Sequence, residues 1–305
     1  MMPPRRQVPG RPDALSRLLE EVGPRWAGDI RGCGERVKEA YLPWLAAAPK
    51  EGYSVRRDVA YGAHARQVLD IYRPEGARGA PVVVFVHGGA FVRGAKEINA
   101  QMYANVLAWF ARQGCVGVNV EYRLAPETPF PGGALDVAMA CAWVQTFIAN
   151  HGGDPTRICL IGHSAGGTHA ASYAFDPALG YLGSHLACLV LISARMRADV
   201  LPENPNAAGV QAYFGTDTGQ YERCSPVSYA AASSLPTFIV NAEYENPLLD
   251  LYGLETAYRM SAARRCAPRY LAMPLHNHVS IMAHFNSGET ELGEAILDFF
   301  ARACP

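Results

Sequence analysis

Short apolar runs alternate with longer, helix-compatible stretches from about residue 53 to the end of the chain. Strands are predicted near residues 54–60, 67–72, 81–86, 115–121, 157–161, 187–193, 236–241 and 269–274. Helices are predicted near residues 98–112, 134–150, 165–174, 248–263 and 288–303. This alternation predicts an α/β fold with a mostly parallel sheet of eight strands and helices on both of its faces.

Two segments do not follow the alternation. Residues 1–50 have a helical and amphipathic pattern, and residues 195–230 form a long insertion between two predicted strands. A long segment without a strand usually forms a lid or a binding element. The sequence therefore predicts one domain over residues 1–305 that carries two additional pieces.

The pentapeptide Gly162-His163-Ser164-Ala165-Gly166 directly follows the strand-like run 157–161 and precedes a helix-compatible stretch. This arrangement is typical of a nucleophile elbow, a sharp strand-to-helix turn that presents a serine hydroxyl at the edge of the sheet. The glycines are needed because the turn brings backbones too close together for a Cβ atom. The motif predicts a serine hydrolase with Ser164 as its nucleophile.

The apolar run 81–86 leads straight into His87-Gly88-Gly89-Ala90. Attack of a serine on an acyl carbon places negative charge on the former carbonyl oxygen, and preorganised backbone N–H groups stabilise that charge. Gly88 and Gly89 are the candidate donors, and the N–H of Ala165, the residue after the nucleophile, is the third.

An acid and a base follow the serine in the chain. The predicted strand 236–241 ends in Ala242-Glu243-Tyr244-Glu245-Asn246-Pro247, and a later strand leads to His276-Asn277-His278. The order serine, acid, histidine is that of the α/β-hydrolases and differs from the order in the trypsin and subtilisin groups. Glu245 and Asp250 are the candidate acids, and His276 and His278 are the candidate bases.

The run Glu121-Tyr122-Arg123-Leu124-Ala125-Pro126-Glu127, together with the elbow and the oxyanion loop, resembles the hormone-sensitive-lipase-like carboxylesterases of the α/β-hydrolase superfamily. The resemblance covers about residues 55–305. It implies an α/β-hydrolase fold, hydrolysis of small carboxylic esters by a Ser-acid-His triad, and no cofactor. It also implies that residues 1–50 and 195–230 form a helical cap over the serine.

The same resemblance distinguishes between the candidates. The run Glu243-Tyr244-Glu245-Asn246-Pro247 matches the Glu-Tyr-Asp-Pro-like segment of the family and puts Glu245 at the acid position. Asp250 is the alternative, although a carboxylate at a helix start is favoured there by the helix dipole. His278, followed by Val279 and Ser280, fits the position of the base, and His276 is expected to be a polar loop residue at the rim.

Two departures from the family pattern leave the subfamily open. The usual His-Gly-Gly-Gly is His87-Gly88-Gly89-Ala90 here, and Gly-Asp-Ser-Ala-Gly is Gly162-His163-Ser164-Ala165-Gly166. Both forms resemble arylformamidase and feruloyl-esterase-like groups, so an arylformamidase-like amide hydrolase is the alternative. We expect His163 to pack near the site rather than act as the base, His87 to orient the oxyanion loop, and Arg123 to brace that loop.

Charge and composition exclude other classes. The 27 basic and 28 acidic side chains balance, which gives no electrostatic reason to expect nucleic acid or an anionic membrane as partner. No run of about eighteen apolar residues and no N-terminal leader are apparent, and the histidines show no metal-ligand spacing. The eight cysteines lack CxxC pairs, so we expect reduced thiols and a cytoplasmic protein. A homodimer could form through the edge strand 269–274.

Overall fold

A computed structural model describes residues 8–179 and 185–304. Residues 1–7 of the predicted cap segment lie outside this range. The expectation that the sequence has no N-terminal leader concerns these same residues. The strands are β1 (Tyr53–Ala60), β2 (Val68–Pro74), β3 (Ala80–Val86), β4 (Val116–Val120), β5 (Gly153–His163), β6 (Cys188–Ile192), β7 (Thr237–Tyr244) and β8 (Arg269–Asn277). They form one eight-stranded sheet in the order β1-β2-β4-β3-β5-β6-β7-β8.

Most neighbouring strands in this sheet are parallel. Only the pairs β1–β2 and β2–β4 are antiparallel, at one end of the sheet. The strands from β4 and β3 through to β8 all run in the same direction. The predicted α/β-hydrolase fold with its mostly parallel sheet is confirmed.

The helices that flank the strands also follow the predicted pattern. They are α1 (Asp13–Val22), α2 (Ile30–Ala47), α3 (Ala104–Arg112), α4 (Gly132–Phe147), α5 (Ala165–Phe175), α6 (Ala207–Phe214), α7 (Tyr221–Cys224), α8 (Val227–Ala230), α9 (Leu249–Arg264), α10 (Ser280–Ala283) and α11 (Glu291–Ala303). The helix predicted from residue 98 begins only at Ala104. Positive φ angles at Asn99, Ala100 and Tyr103 prevent the chain from becoming helical before that point.

The core consists of two layers, one on each face of the sheet. Strand β3 illustrates the division, since its successive side chains point to opposite faces. Val82 and Val84 belong to the layer that includes Val137 of α4, whereas Phe85 packs in the layer that includes Phe300 of α11. Burial on both faces explains why β3 is a continuous apolar run.

The segment Gly132–His151, which contains α4, is long and apolar enough to span a membrane by length and composition, with a mean hydropathy of 1.3 over its best window. It is not an unbroken apolar run, because Asp136, Gln145 and Thr146 interrupt it. Half of that window is buried inside the protein, where α4 contributes Val137 and Val144 to the core.

The two additional pieces pack near the carboxyl end of the parallel strands. The N-terminal piece buries Leu19 of α1, Tyr41 of α2 and Trp26 of the 3-10 turn between these helices against residues of the β7 and β8 ends. Trp44 has 41% of its surface exposed because it lies on the outer face of α2. The insertion 195–230 buries Tyr213 and its aromatic neighbours against the loop after β3.

Candidate active site

The register of the sheet brings four loops to one edge. Val86 at the end of β3 pairs with Gly162 of β5, and His163 pairs with Ile192 of β6. Ile192 in turn pairs with Val240 of β7. The loops that follow β3, β5, β7 and β8 therefore leave the sheet at nearly the same level, which is where ligands bind in open α/β sheets.

The turn after β5 is sharp. Ser164 has φ 55° and ψ −121°, a sparsely populated conformation for a residue with a side chain. A Cβ atom on Gly162 would lie 2.6 Å from the Gly166 carbonyl oxygen, and one on Gly166 would lie 2.3 Å from the Val86 carbonyl oxygen. Both flanking positions therefore require glycine, and Ser164 itself stays partly exposed at the start of α5.

Three predicted side chains form one hydrogen-bonded line. His278 Nε2 lies 3.1 Å from Ser164 Oγ, and His278 Nδ1 lies 2.6 Å from Glu245 Oε1. The side chains of His278 and Glu245 are 11% and 2% exposed. A carboxylate on Nδ1 leaves Nε2 free to accept the serine proton.

The environment of Glu245 keeps its carboxylate ionised. Burial alone would raise the pKa of Glu245, but the adjacent His278 and the backbone N–H of Asn246 outweigh this effect and hold the pKa below its usual value. The Asn246 N–H donates to Glu245 Oε1 over 2.9 Å. A carboxylate that stays charged can stabilise an imidazolium as it forms on His278.

The alternative acid Asp250 and the nearby carboxylate of Glu243 have different surroundings. Asp250 lies in the first turn of α9, and among the described residues no hydrogen bond joins it to a histidine. Its place agrees with a carboxylate at the positive end of a helix dipole. Glu243 accepts a hydrogen bond from the Leu275 backbone N–H over 2.6 Å and so connects the ends of β7 and β8.

His276 is not at the rim, contrary to expectation. It is fully buried, with Nε2 2.9 Å from Glu289 Oε1 and 2.7 Å from Arg11 Nη2. Its Nδ1 lies 3.0 Å from the hydroxyl of Ser280, two residues after His278. Burial opposes ionisation of Glu289, but hydrogen bonds from His276 and Arg11 hold the pKa of Glu289 well below its usual value.

The loop after β3 lies against the elbow. A Cβ atom on Gly88 would approach Ser164 Cβ to 3.0 Å, and one on Gly89, with φ 152°, would collide with the Arg93 carbonyl oxygen at 1.8 Å. Both positions thus require glycine. Of the predicted oxyanion donors, Gly88 and Gly89 lie in this loop, and Ala165 is the first residue of α5, directly after the serine. Their role as donors stays a prediction.

Residues of the 121–127 run hold this loop in place. Glu121 accepts a hydrogen bond from the Lys96 backbone N–H over 2.7 Å and one from Arg66. The ring of Tyr122 stacks on His87 at 4.3 Å, and its hydroxyl donates to the His87 carbonyl over 2.9 Å. The sequence marked the run as a motif but did not reveal that Glu121 and Tyr122 brace the oxyanion loop.

His87 contacts the oxyanion loop, as predicted, whereas Arg123 contacts α4, so its bracing of that loop stays a prediction. Arg123 forms hydrogen bonds with both carboxylate oxygens of the buried Asp136, at 2.7 and 3.0 Å. His87 Nδ1 lies 2.8 Å from the Gly88 carbonyl oxygen and its Nε2 lies 3.3 Å from Glu121. Neither side chain reaches the Ser164 hydroxyl.

The insertion 195–230 is joined to the elbow through Arg195. Its backbone N–H donates to the Ser164 carbonyl over 3.3 Å, and its guanidinium, 3% exposed, binds Asp199 at 2.6 Å and Asn204 at 2.9 Å. Helix α6 is so close to the oxyanion loop that a Cβ atom on Gly209 would lie 2.3 Å from the Ala90 carbonyl oxygen.

The N-terminal helices contact the loops of the acid and the base. Trp26 Nε1 donates to Asn246 Oδ1 over 2.9 Å, directly after Glu245. A Cβ atom on Gly34 of α2 would lie 3.7 Å from Val279, the residue after His278. The two additional pieces therefore flank the serine on different sides and leave it partly open to solvent.

Comparisons with known proteins find similarity to esterases. The BD-FAE family profile matches residues 69–179. Esterase LipC of Mycobacterium tuberculosis is 41% identical over 127 residues, which is 41% of this chain and 31% of LipC. Esterase LipQ of the same organism is 26% identical over 276 residues, which is 85% of this chain and 65% of LipQ. The chain thus spans less than two thirds of these curated relatives.

Among solved structures, the hyperthermophilic esterase from the archaeon Pyrobaculum calidifontis superposes with a TM-score of 0.71 at 22% identity. The superposition covers 97% of this chain and all of that esterase. At this identity the likeness establishes the fold, including the segments outside the match to the BD-FAE profile.

Proposed function

We propose that this chain is a serine hydrolase of small carboxylic esters. The premise is that it belongs to the α/β-hydrolase superfamily and is related to the hormone-sensitive-lipase-like carboxylesterases. The observation that carries the proposal is the line of hydrogen bonds from Ser164 Oγ through His278 to Glu245. The names of the relatives, esterases LipC and LipQ, support the same reaction class.

In the first half of the reaction His278 Nε2 takes the proton of the Ser164 hydroxyl as the oxygen attacks the ester carbonyl carbon. Glu245 stabilises the positive charge that develops on His278. The tetrahedral intermediate collapses when His278 returns the proton to the alkoxy oxygen. The alcohol leaves, and the acyl group stays on Ser164 as an ester.

In the second half a water molecule takes the place of the alcohol. His278 removes a proton from the water, the resulting oxygen attacks the acyl carbon, and Ser164 leaves with the proton that His278 gives back. The backbone N–H groups of Gly88, Gly89 and Ala165 stabilise the oxyanion in both halves. The proposal needs no metal and no cofactor.

Ser164→Ala tests the proposal, with p-nitrophenyl butyrate as substrate and a fluorophosphonate probe as a second readout. We expect the variant to unfold at the same temperature as the parent protein, to lose nearly all turnover, and to resist labelling. The exposed Ser54→Ala is the matched control. Full activity in Ser164→Ala, or labelling elsewhere, would refute the proposal. A protein that only binds ligands would leave both proteins unlabelled.

Amide cleavage of the arylformamidase kind is the second candidate, and the Gly162-His163-Ser164 form of the elbow favours it. The same triad can cleave either bond, since only the leaving group differs. Rates on N-formylkynurenine and on a short-chain ester, measured with one preparation, distinguish the two. If kcat/KM is higher on N-formylkynurenine, we would propose the formamide and not the ester as the substrate class.

A homodimer and a cytoplasmic location also belong to the proposal. Strand β8 is the last strand in the sheet order, so its outer edge has no partner strand within the described residues. All eight cysteines are free thiols, and burial raises the pKa of Cys115 to about 11 and that of Cys141 to about 12. Sedimentation analysis of the purified protein tests the dimer.

A further inference from the structure

His163 has no part in the reaction described above, although it lies between groups that do. Its side chain is buried, with only 4% of the residue exposed. Its Nε2 lies 3.2 Å from the carbonyl oxygen of His278, and its Nδ1 lies 3.2 Å from the hydroxyl of Tyr103. Its ring centre is 4.7 Å from that of His278.

These partners fix the tautomer of His163. A carbonyl oxygen can only accept, so Nε2 must carry the proton that it donates to His278. In the neutral ring Nδ1 is then an acceptor, and the Tyr103 hydroxyl donates to it. Burial, followed by the nearby His278, lowers the pKa of His163 well below its usual value, so the ring stays neutral.

The same pair of side chains borders the oxyanion loop. A Cβ atom on Gly88 would lie 2.9 Å from His163 Nδ1 and 3.1 Å from the Tyr103 hydroxyl. Tyr103 is held at this place by the turn before α3, where it has φ 72°. His163 therefore contacts the loop that carries the base on one side and the loop that carries the proposed oxyanion donors on the other.

We propose that His163 is a positioning residue that holds these two loops in register and, as a neutral ring beside His278, sets the pH range in which His278 acts as a base. The inference rests on the function proposed above and concerns the elbow position that precedes the nucleophile. A carboxylate there would favour the protonated form of His278 and move activity to higher pH.

Other charged and titratable groups near the two rings are the same in His163→Asp and His163→Asn, the two variants whose pH profiles are compared below. Ser164 and Glu245 face His278 directly, and His87 and Tyr103 face His163. Among the described residues, the cation Arg195 acts on Glu245 and the cation Arg93 acts on Tyr103. A change in pH dependence on substitution of His163 therefore reports on residue 163 itself.

The test compares pH profiles of kcat/KM for p-nitrophenyl butyrate. In His163→Asp we expect the acid limb to move upward by about one pH unit, because the new charge lies close to the imidazolium. In His163→Asn, which is neutral, the limb should stay in place. Both should lower kcat by roughly 10- to 100-fold with little change in KM, since a small displacement of the base is costly.

Tyr103→Phe separates the two contacts of His163. It removes the hydroxyl bond to Nδ1 but keeps the ring, and we expect a fall in kcat of roughly threefold to tenfold with an unshifted acid limb. His151→Gln, at the opposite end of β5, is the matched histidine control and should behave like the parent protein.

Two results would overturn the inference itself, and a third would overturn the proposed function on which it rests. Equal acid limbs in His163→Asp and His163→Asn, or parental kcat in His163→Asn and Tyr103→Phe, would overturn the inference. Melting temperatures and circular dichroism identify variants that have merely lost folded protein. If the parent protein itself neither turns over the ester nor reacts with the probe, the proposed function has failed and the inference falls with it.

Discussion

Replacing Glu245 by glutamine removes the buried charge beside His278 and keeps the shape of the side chain. The Nδ1–Oε1 distance of 2.6 Å places the two charge centres roughly 4 Å apart when His278 is protonated. At that separation and an effective dielectric constant of about 20, the attraction is about 4 kcal/mol. The glutamine should lose this stabilisation of the transition state.

A loss of about 4 kcal/mol corresponds to a fall of roughly a thousandfold in kcat. The assay is hydrolysis of p-nitrophenyl butyrate, with kcat expressed per folded protein. KM should change little, because the neutral His278 of the ground state gains little from the carboxylate. Circular dichroism and the melting temperature establish that the variant is folded.

Asp250→Asn is the matched control, since it removes a carboxylate from the first turn of α9. We expect its kcat to stay within about twofold of the parent value, because a helix-start carboxylate contributes mainly to helix stability. Loss of turnover in Asp250→Asn alone, with normal turnover in Glu245→Gln, would refute the assignment of the acid.

Three further predictions concern the supports of the site. Gly209→Ala should lower both kcat and the melting temperature, because its Cβ atom would meet the Ala90 carbonyl oxygen at 2.3 Å. Trp26→Phe should cost about 1 kcal/mol of unfolding free energy and lower kcat modestly, since it removes the bond to Asn246. Glu289→Gln should cost about 3–5 kcal/mol at pH 7, because it leaves buried Arg11 uncompensated.

Denaturant titrations and ester hydrolysis check these variants. Gly28→Ala is the control for Gly209→Ala, because a Cβ atom there has no neighbour within 4 Å. A parental kcat and melting temperature in Gly209→Ala would contradict the close contact with the oxyanion loop. For Trp26→Phe, an unchanged unfolding free energy and kcat would show that the bond to Asn246 contributes nothing.

The Glu289→Gln prediction also has a pH dependence. The folded pKa of Glu289 is below its unfolded value of about 4.3, so its contribution is complete above that value and is lost as the pH falls toward the folded pKa. The gap in unfolding free energy between parent and variant should therefore narrow below about pH 4. A gap that is constant with pH would contradict this origin.

Much of the fold could be predicted because the central strands are buried on both faces. β3 and β6 are apolar without interruption, and such runs are recognisable in a single sequence. The predicted starts of α3 and α11 were early. Backbone angles such as φ 112° at Gly288 delay the helix, and the apolar pattern does not encode those angles.

The candidate site was predictable as far as its residues lie in local motifs. Ser164 and Gly88 follow strands directly, so the elbow and the oxyanion loop were visible in the sequence. The surroundings of His276 were not, because Arg11 is 265 positions away from it in the chain. The contact of His163 with Tyr103 spans 60 positions and likewise has no local signal.

The ion pair between Arg11 and Glu289 joins positions 278 residues apart, near the two ends of the polypeptide. A Cβ atom on Gly10 would collide with the Gly288 carbonyl oxygen at 2.0 Å, so the two strands of backbone are in direct contact there. Removal of the chain through Arg11 would thus leave the Glu289 carboxylate without its ion-pair partner. This carboxylate lies next to His276, two positions before the proposed base. Removing or tagging this region is therefore expected to alter catalysis from a distance, and Gly10 and Arg11 should be kept intact.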